Sequence, residues 1–342
     1  MYKLKKLLPI WVLLLSGCTT ALDEHQGCSS EPVYIHFTTG SGFNLGVDVD
    51  VNTRSGSESH TIGMVGFGTT TDVNQKLSAF TSVDALSEGL QNSPYTMESV
   101  AGNAGSYAVT PNEGIDPTFP YTANSAVGIH AYSPYTENIN YDESYGWYVD
   151  VDVNTDNGQT DWLYYDTLCM RKDYAGNVNL DFRHVLIRLD VVVNSVASDE
   201  TRSLSRTVIA AEESWSGKCD YIEQKESIMT APARIVSRSG SDPLEVVIYT
   251  NTDGKGKLLL SKGTISGARF GYDRCSLATS VSGQEGVATF YLLPRTSIYK
   301  IMVNGTEYLP HRDGVLIDKD QLPTEAGMRR EIIINHTNTD NN

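Results

Sequence analysis

The stretch Asn177-Val-Asn-Leu-Asp-Phe-Arg-His-Val-Leu-Ile-Arg-Leu-Asp-Val-Val-Val193 decides the fold class. Apolar and polar residues alternate from Val178 to Phe182 and again from Ile187 to Val191. A period of two puts successive side chains on opposite faces of a strand. Val, Ile and Phe suit a pleated, half-buried surface. The pattern predicts a long strand over Val178–Val193. The polar turn before it, Lys172–Gly176, marks a domain boundary, placed between residues 175 and 176.

Shorter runs of the same kind lie on both sides. Val33–Phe37, Val47–Val51, Ile62–Phe67, Val127–Tyr132, Trp147–Val153 and Trp162–Leu168 read as strands upstream. Downstream, Leu244–Tyr249, Lys257–Leu260, Val287–Leu293, Ile298–Val303 and Glu331–Ile334 read likewise. Asn251-Thr-Asp-Gly254 and Asn304-Gly305 carry hairpin-turn chemistry. Helical periodicity is confined to Val73–Leu90 and Glu212–Cys219. Many short strands separated by Gly, Asn and Asp turns predict an all-β protein of sandwich type. A chain of 342 residues is long enough for two domains.

The first residues have a different character. Lys3, Lys5 and Lys6 precede the apolar run Leu7–Leu15, followed by Ser16, Gly17 and Cys18. Nine apolar positions are too few to cross a bilayer, which takes roughly 20. Residues 1–17 are therefore read as a signal peptide, and Leu15-Ser-Gly-Cys18 resembles a bacterial lipobox. Cys18 is the expected lipidation site, and several acyl chains on one residue hold a membrane stably. Residues 18–30 form a polar tether. Asp23 and Glu24 resemble the acidic signal that sends lipoproteins of Bacteroidota to the outer face of the outer membrane. The two domains then cover residues 31–175 and 176–342.

Formal charge is −16, and loss of the three signal lysines takes it to −19. Such a surface repels nucleic acid and anionic lipid heads. Besides Cys18 there are Cys28, Cys169, Cys219 and Cys275, none in a C-x-x-C pair, and their pairing is open. The sequence has no nucleophile elbow, zincin motif, phosphate loop or dinucleotide fingerprint, so neither enzymatic activity nor a cofactor nor a metal is expected. His184, inside a β-rich run, reads as a core or cross-strand histidine. The run Asp150–Gly158 looks calcium-like, but an EF-hand loop begun at Asp152 puts Asn157 at the required glycine and Leu163 at the bidentate glutamate. It reads instead as a solvated strand face entering a turn. Tyr121–Tyr174 is dense in aromatics. Core packing is the main reading for them; the alternative is an exposed glycan-binding face that includes Tyr132, Tyr135, Trp147 and Trp162.

Several segments, in this order, resemble the fimbrillin family of Bacteroidales lipoproteins. They are Ile62-Gly-Met-Val-Gly-Phe67, Val127-Gly-Ile-His-Ala-Tyr-Ser-Pro-Tyr-Thr136, Asp161-Trp-Leu-Tyr-Tyr165, Asn179–Val193 and Tyr291-Leu-Leu-Pro294. The resemblance implies two tandem transthyretin-like β-sandwiches and a structural or adhesive role in a pilus. It also implies the family's assembly route. An arginine-specific protease cuts a loop near the N-terminus, the first strand leaves, and a strand from another pilus subunit fills the groove. Arg54 is the only Lys or Arg between Lys6 and Lys76. It lies in a Ser/Gly-rich loop, so the bond between Arg54 and Ser55 is the expected cut. Val33–Phe37 or Val47–Val51 is the removable strand. Glu331–Asn335 is either a donated strand or the last strand of its own domain. Glu200–Ile235 has no counterpart in the family pattern. The expected location is the outer membrane surface through the lipid anchor, then the fimbrium. The alternative is a monomeric surface lipoprotein that binds glycans.

Overall fold

A computed structural model describes residues 32–39, 59–70, 76–100, 106–122, 124–153, 160–196, 222–224, 244–281, 287–303, 306–308, 311–312, 315–316 and 326–337. In these residues the protein is all-β. Its first strands are β1 (Phe37–Thr38), β2 (Ser59–Thr69), β3 (Gln91–Ser99), β4 (Tyr107–Pro111), β5 (Ala126–Ser133) and β6 (Asn140–Asp142). Next come β7 (Gly146–Asp152), β8 (Leu163–Met170), β9 (Val178–Asn179), β10 (Arg183–His184), β11 (Ile187–Val196) and β12 (Ile222–Gln224). They are followed by β13 (Leu244–Thr252), β14 (Lys255–Leu259), β15 (Thr264–Ser266), β16 (Phe270–Val281) and β17 (Val287–Leu292). The last are β18 (Ile298–Val303), β19 (Thr306–Tyr308), β20 (His311–Arg312), β21 (Val315–Leu316) and β22 (Met328–Thr337).

An eight-stranded sheet runs β10-β8-β5-β2-β3-β4-β1-β9. Its two outermost strands, β9 and β10, are separated in sequence only by Leu180, Asp181 and Phe182. Four residue steps reach about 14 Å when extended, so the sheet must roll until its edges meet. Inside the roll lie Ile35, Phe37, Ile62, Met64, Tyr95, Val127 and Ile129. Alternation along β2 and β5 sends Val65, Phe67 and Tyr132 to the opposite side, into a second core. Both faces of β5 are therefore buried.

The second core continues under Trp147, Val149 and Val151 of β7 and Leu258 of β14, and on to Leu189, Val246, Phe290, Ile301 and Ile332. Strands β7 and β14 pair antiparallel, Val149 opposite Leu258, within the sheet β15-β14-β7-β6. The sheets β12-β22-β11-β17 and β16-β13-β18-β19 both feed side chains into this cluster, as the inner faces of a sandwich do. The changeover from the rolled sheet to this sandwich falls between β10 and β11. Strands β9 and β10, just past residue 176, still belong to the rolled sheet.

Three expectations are corrected. Val178–Val193 is three strands, because the chain passes along both edges of one sheet before it enters another. The described part of Val73–Leu90 holds two 3-10 turns, Leu77–Ala79 and Val83–Ala85, each ended by an extended residue, and no α-helix. Ser82 accepts a hydrogen bond from Asp84 N at 3.3 Å, the local competition that keeps serine out of longer helices. Asn251–Gly254 is not a hairpin turn. It links β13 to β14, which lie in different sheets. Residues 212–219 and 47–51 lie outside the described residues. His184 is buried and its Nδ1 lies 2.5 Å from Asp161 Oδ2, as expected of a satisfied core histidine. Asp150 faces outward and accepts from Asn140 Nδ2.

The joint between the rolled sheet and the β14–β15 hairpin is polar at one point. Tyr164 donates its hydroxyl hydrogen to Leu260 O at 2.6 Å, so His130 Nδ1, 2.9 Å from the same oxygen, is the donor of that pair. Arg183 lies over the Tyr164 ring and donates to Lys262 O. Burial lowers the His130 pKa to about 4, against the pull of Asp166 and of the Leu260 carbonyl. An unfolded histidine protonates near 6.5. Stability is thus complete above pH 6.5 and falls as the pH drops towards 4, by about 3 kcal/mol from this residue. Denaturant unfolding at pH 7 and pH 4.5 tests this, and the fall is smaller in His130→Gln. A second prediction concerns Gly66. A Cβ there would collide with the Gly128 carbonyl of the neighbouring strand, which cannot move aside. Gly66→Ala costs about 1–3 kcal/mol in an unfolding titration. Gly114→Ala, at φ +71° with open space around it, costs only about 1 kcal/mol.

Candidate functional site

The first described segment, Val33–Thr39, is the feature whose geometry calls for a function. Its β-branched and aromatic residues favour an extended chain. Ile35, Phe37 and Thr39 point inward and are buried, whereas Tyr34 is 49% exposed. The strand lies between two others. It runs antiparallel to β4, with Phe37 opposite Val109, and parallel to β9, with Phe37 opposite Val178. It is therefore an interior strand, although nothing described before it in the chain pairs with it.

Backbone bonds hold it on both sides. Ile35 N donates to Pro117 O at 2.8 Å, Phe119 N to Val33 O at 3.0 Å, and Thr39 N to Tyr107 O at 3.2 Å. On the other edge Val178 N donates to His36 O and Leu180 N to Thr38 O, both at 2.7 Å. Side chains complete the slot. Tyr174 accepts from His36 N at 2.8 Å and passes its own hydrogen to Gly176 O at 2.6 Å. Tyr107 N donates to the Thr39 hydroxyl at 2.9 Å, and Asn177 Nδ2 to the Thr38 hydroxyl at 3.2 Å. Phe37 meets the Tyr95 ring edge-to-face, centroids 5.5 Å apart, a favoured arrangement. The His36–Asp116 contact, 3.7 Å long at the surface, contributes little.

The arrangement is a filled strand slot. Taking Val33–Thr39 away would expose the carbonyls and N–H groups of the 107–119 and 178–180 edges and empty the Ile35 and Phe37 pockets. An extended chain restores both kinds of contact at once.

Cys18, Arg54 and Ser55 lie outside the described residues. The glycan candidates do not form an exposed face. Tyr132, Trp147 and Trp162 are in the second core, and Tyr135 is half-buried. Tyr132 donates to Asn92 Oδ1 at 2.6 Å, and Trp147 Nε1 to Phe80 O at 2.5 Å. Rings enclosed in this way leave no face for a sugar, and core packing is their role. Among the described residues no three His, Cys, Asp or Glu gather as a metal site. The slot residues that sequence reading missed are Tyr95, Tyr107, Tyr174 and Asn177. Their partners lie between 58 and 139 positions away in the chain, and nothing local marks them.

No family model and no curated protein matches the chain. Solved structures do. A candidate cell adhesion protein from Bacteroides uniformis aligns over 90% of this chain and 94% of its own, at 17% identity and a TM-score of 0.49. A candidate cell adhesion protein from Bacteroides ovatus aligns over 89% and 93%, at 14% identity and a TM-score of 0.47. The fimbrial anchor protein of Porphyromonas gingivalis aligns over 81% and 79%, at 12% identity and a TM-score of 0.29.

The slot is a sizeable part of the stability of its sheet. Phe37→Ala destabilises the protein by about 3–5 kcal/mol. Tyr174→Phe, which removes the bond to His36 N, costs about 0.5–1.5 kcal/mol. Both are read from denaturant midpoints at pH 7.

Proposed function

We propose that this chain is a fimbrillin-like subunit of a cell-surface pilus, structural or adhesive and not enzymatic. In this reading residues 1–17 are removed on export and Cys18 takes the lipid that holds the chain at the outer membrane. Residues 18–30 form the tether, and two transthyretin-like units follow, the first running past residue 175 to the end of β10. The observation that carries the proposal is the position of the first strand. It is interior to its sheet, yet it lies upstream of Arg54. One cut between Arg54 and Ser55 detaches it from everything that follows, together with Cys18 and the lipid.

An arginine-specific protease is the matching enzyme. The emptied slot then takes a strand from another pilus subunit, and no nucleic acid takes part. The acidic charge, the lipobox and the ordered segments that resemble fimbrillins support the same reading. The burial of Tyr132, Trp147 and Trp162 counts against the glycan-binding alternative.

The test uses the purified full chain with Cys18→Ser. It is treated with an arginine-specific protease and then offered a labelled peptide of residues 32–39 in millimolar excess. Mass spectrometry should find one early cut after Arg54. Native mass spectrometry should then find the labelled peptide in place of the cleaved strand, and no capture by uncut protein. Resistance at Arg54, or a cut chain that captures nothing, sinks the proposal.

A further inference from the structure

We infer that the slot selects an extended segment whose successive inward residues are aliphatic, aromatic and hydroxyl-bearing. We infer further that this segment belongs to a different kind of chain, not to the last strand of a second copy. The partner part of the inference rests on the strand-exchange reading above. The selectivity part rests on the slot alone.

Each inward position has its own chemistry. Ile35 has no exposed surface and sits in the all-apolar interior of the roll. Phe37 presents its ring to the edge of Tyr95, whose hydroxyl is fixed to Gly89 O at 3.0 Å. That ring is held in place, so the pocket is shaped for an aromatic partner. Thr39 is also buried, but its hydroxyl accepts from Tyr107 N while its own N–H donates to Tyr107 O. A hydrocarbon side chain there loses the first of these bonds. The contact from Tyr174 goes to a main-chain N–H and reads no side chain. Asn177 adds a second preference for a hydroxyl, at the outward position of Thr38. The ladders fix direction as well, antiparallel to β4 and parallel to β9.

The chain's own last strand fails on two counts. First, β22 is interior to its own sheet. It pairs with β11 from Arg188↔Arg329 to Val196↔Thr337, and with β12 on its other side. Second, no register of it supplies the required side chains. With Thr337 in the place of Thr39, Asn335 falls in the Phe37 pocket. With Ile334 in that pocket, His336 takes the place of Thr39. With His336 in the pocket, Asn338 does. Each register buries a polar side chain in an apolar pocket or puts a bulky group at a site fitted to a hydroxyl. Val65-Gly-Phe-Gly-Thr69 and Leu163-Tyr-Tyr-Asp-Thr167 do carry the pattern, but they are the interior strands β2 and β8 of the rolled sheet itself.

The test uses the full chain, with its own first strand as the occupant. Amide hydrogen exchange is followed at Val178 and Leu180, which donate to that strand, and across β5 as an internal reference. Thr39→Ser, which keeps the hydroxyl, should leave exchange within about threefold of the native rate, and Thr39→Val should raise it about tenfold. Phe37→Asn and the double variant F37I/T39H reproduce two registers of the last strand, and should raise it about 100-fold while β5 stays protected. Native-like protection of Val178 and Leu180 in Thr39→Val or in either last-strand mimic overturns the selectivity. Should a mimic unfold altogether, Thr39→Val against Thr39→Ser decides alone. Capture of a peptide of residues 328–339 by Arg54-cut protein as readily as one of residues 32–39 would overturn the assignment to a different chain. Failure to cut at Arg54 counts against strand exchange and leaves the exchange ratios standing.

Discussion

Everything about the slot depends on the seven residues Val178–His184, which touch both edges of the eight-stranded sheet. Val178 and Asn179 form its last strand, Arg183 and His184 its first. Without β9 the first strand would lie at an edge with one neighbour, and there would be no second wall to define a slot. Without β10 the roll would not close over Phe182 and Leu180, which fill the core from the seam. Loop-closure entropy is small for so short a link, so the two edges are held together at little cost once the link is in place.

The same segment carries the chain out of the roll. With only Val185 and Leu186 between, His184 is followed by β11, the strand flanked by β22 and β17 in the next sheet. The slot is thus joined to the second half of the molecule by a continuous extended path. The joint is reinforced elsewhere by the β7–β14 ladder, by an apolar core that runs through both halves, and by the contact of His130, Tyr164 and Leu260. A cluster this continuous transmits displacement, because close-packed interiors deform little. A force applied to a strand seated beside β9 would pass into β11 within ten residues.

Much of this was legible in the sequence, and the reasons separate cleanly. Strands β2, β5, β7, β8, β13 and β18 were legible because apolar residues recur along them, whether they line one core or two. β3 was not, because Pro94 argues against a central strand; it sits opposite Gly63, next to the bulge where the β2–β3 ladder shifts between Met64 and Val65. The break between β9 and β10 was invisible, since burial alternates unbroken from Val178 to His184, from one sheet edge to the other; the break before β11 coincides with the apolar run Val185-Leu186-Ile187, where the alternation lapses. Val33–Phe37 read as a strand from Val33, Ile35 and Phe37 alone. That it is interior could not be read, because its neighbours come from residues 107–119 and 178–180. Aromatic density around Tyr132 and Trp147 read two ways for want of that same three-dimensional information.

The shortness of the strand has an energetic consequence for the strand-exchange proposal. Two large apolar side chains, Ile35 and Phe37, supply most of its burial, each about 1.5–3 kcal/mol. As part of the intact chain the strand needs no more, since a tethered segment returns to its slot without the loss of translational and rotational freedom that a separate chain suffers. Once separated, the same contacts must also offset the translational, rotational and ordering costs of association, so the free strand binds only weakly, at about millimolar concentrations. A freed strand therefore leaves at the concentrations of an ordinary surface protein. A longer strand with the same inward sequence, offered by a neighbouring subunit, would add contacts beyond Val33 or Thr39 and stay. In the strand-exchange proposal this balance is what the slot needs: contacts sufficient to hold a tethered strand and too few to retain one that a cut has freed.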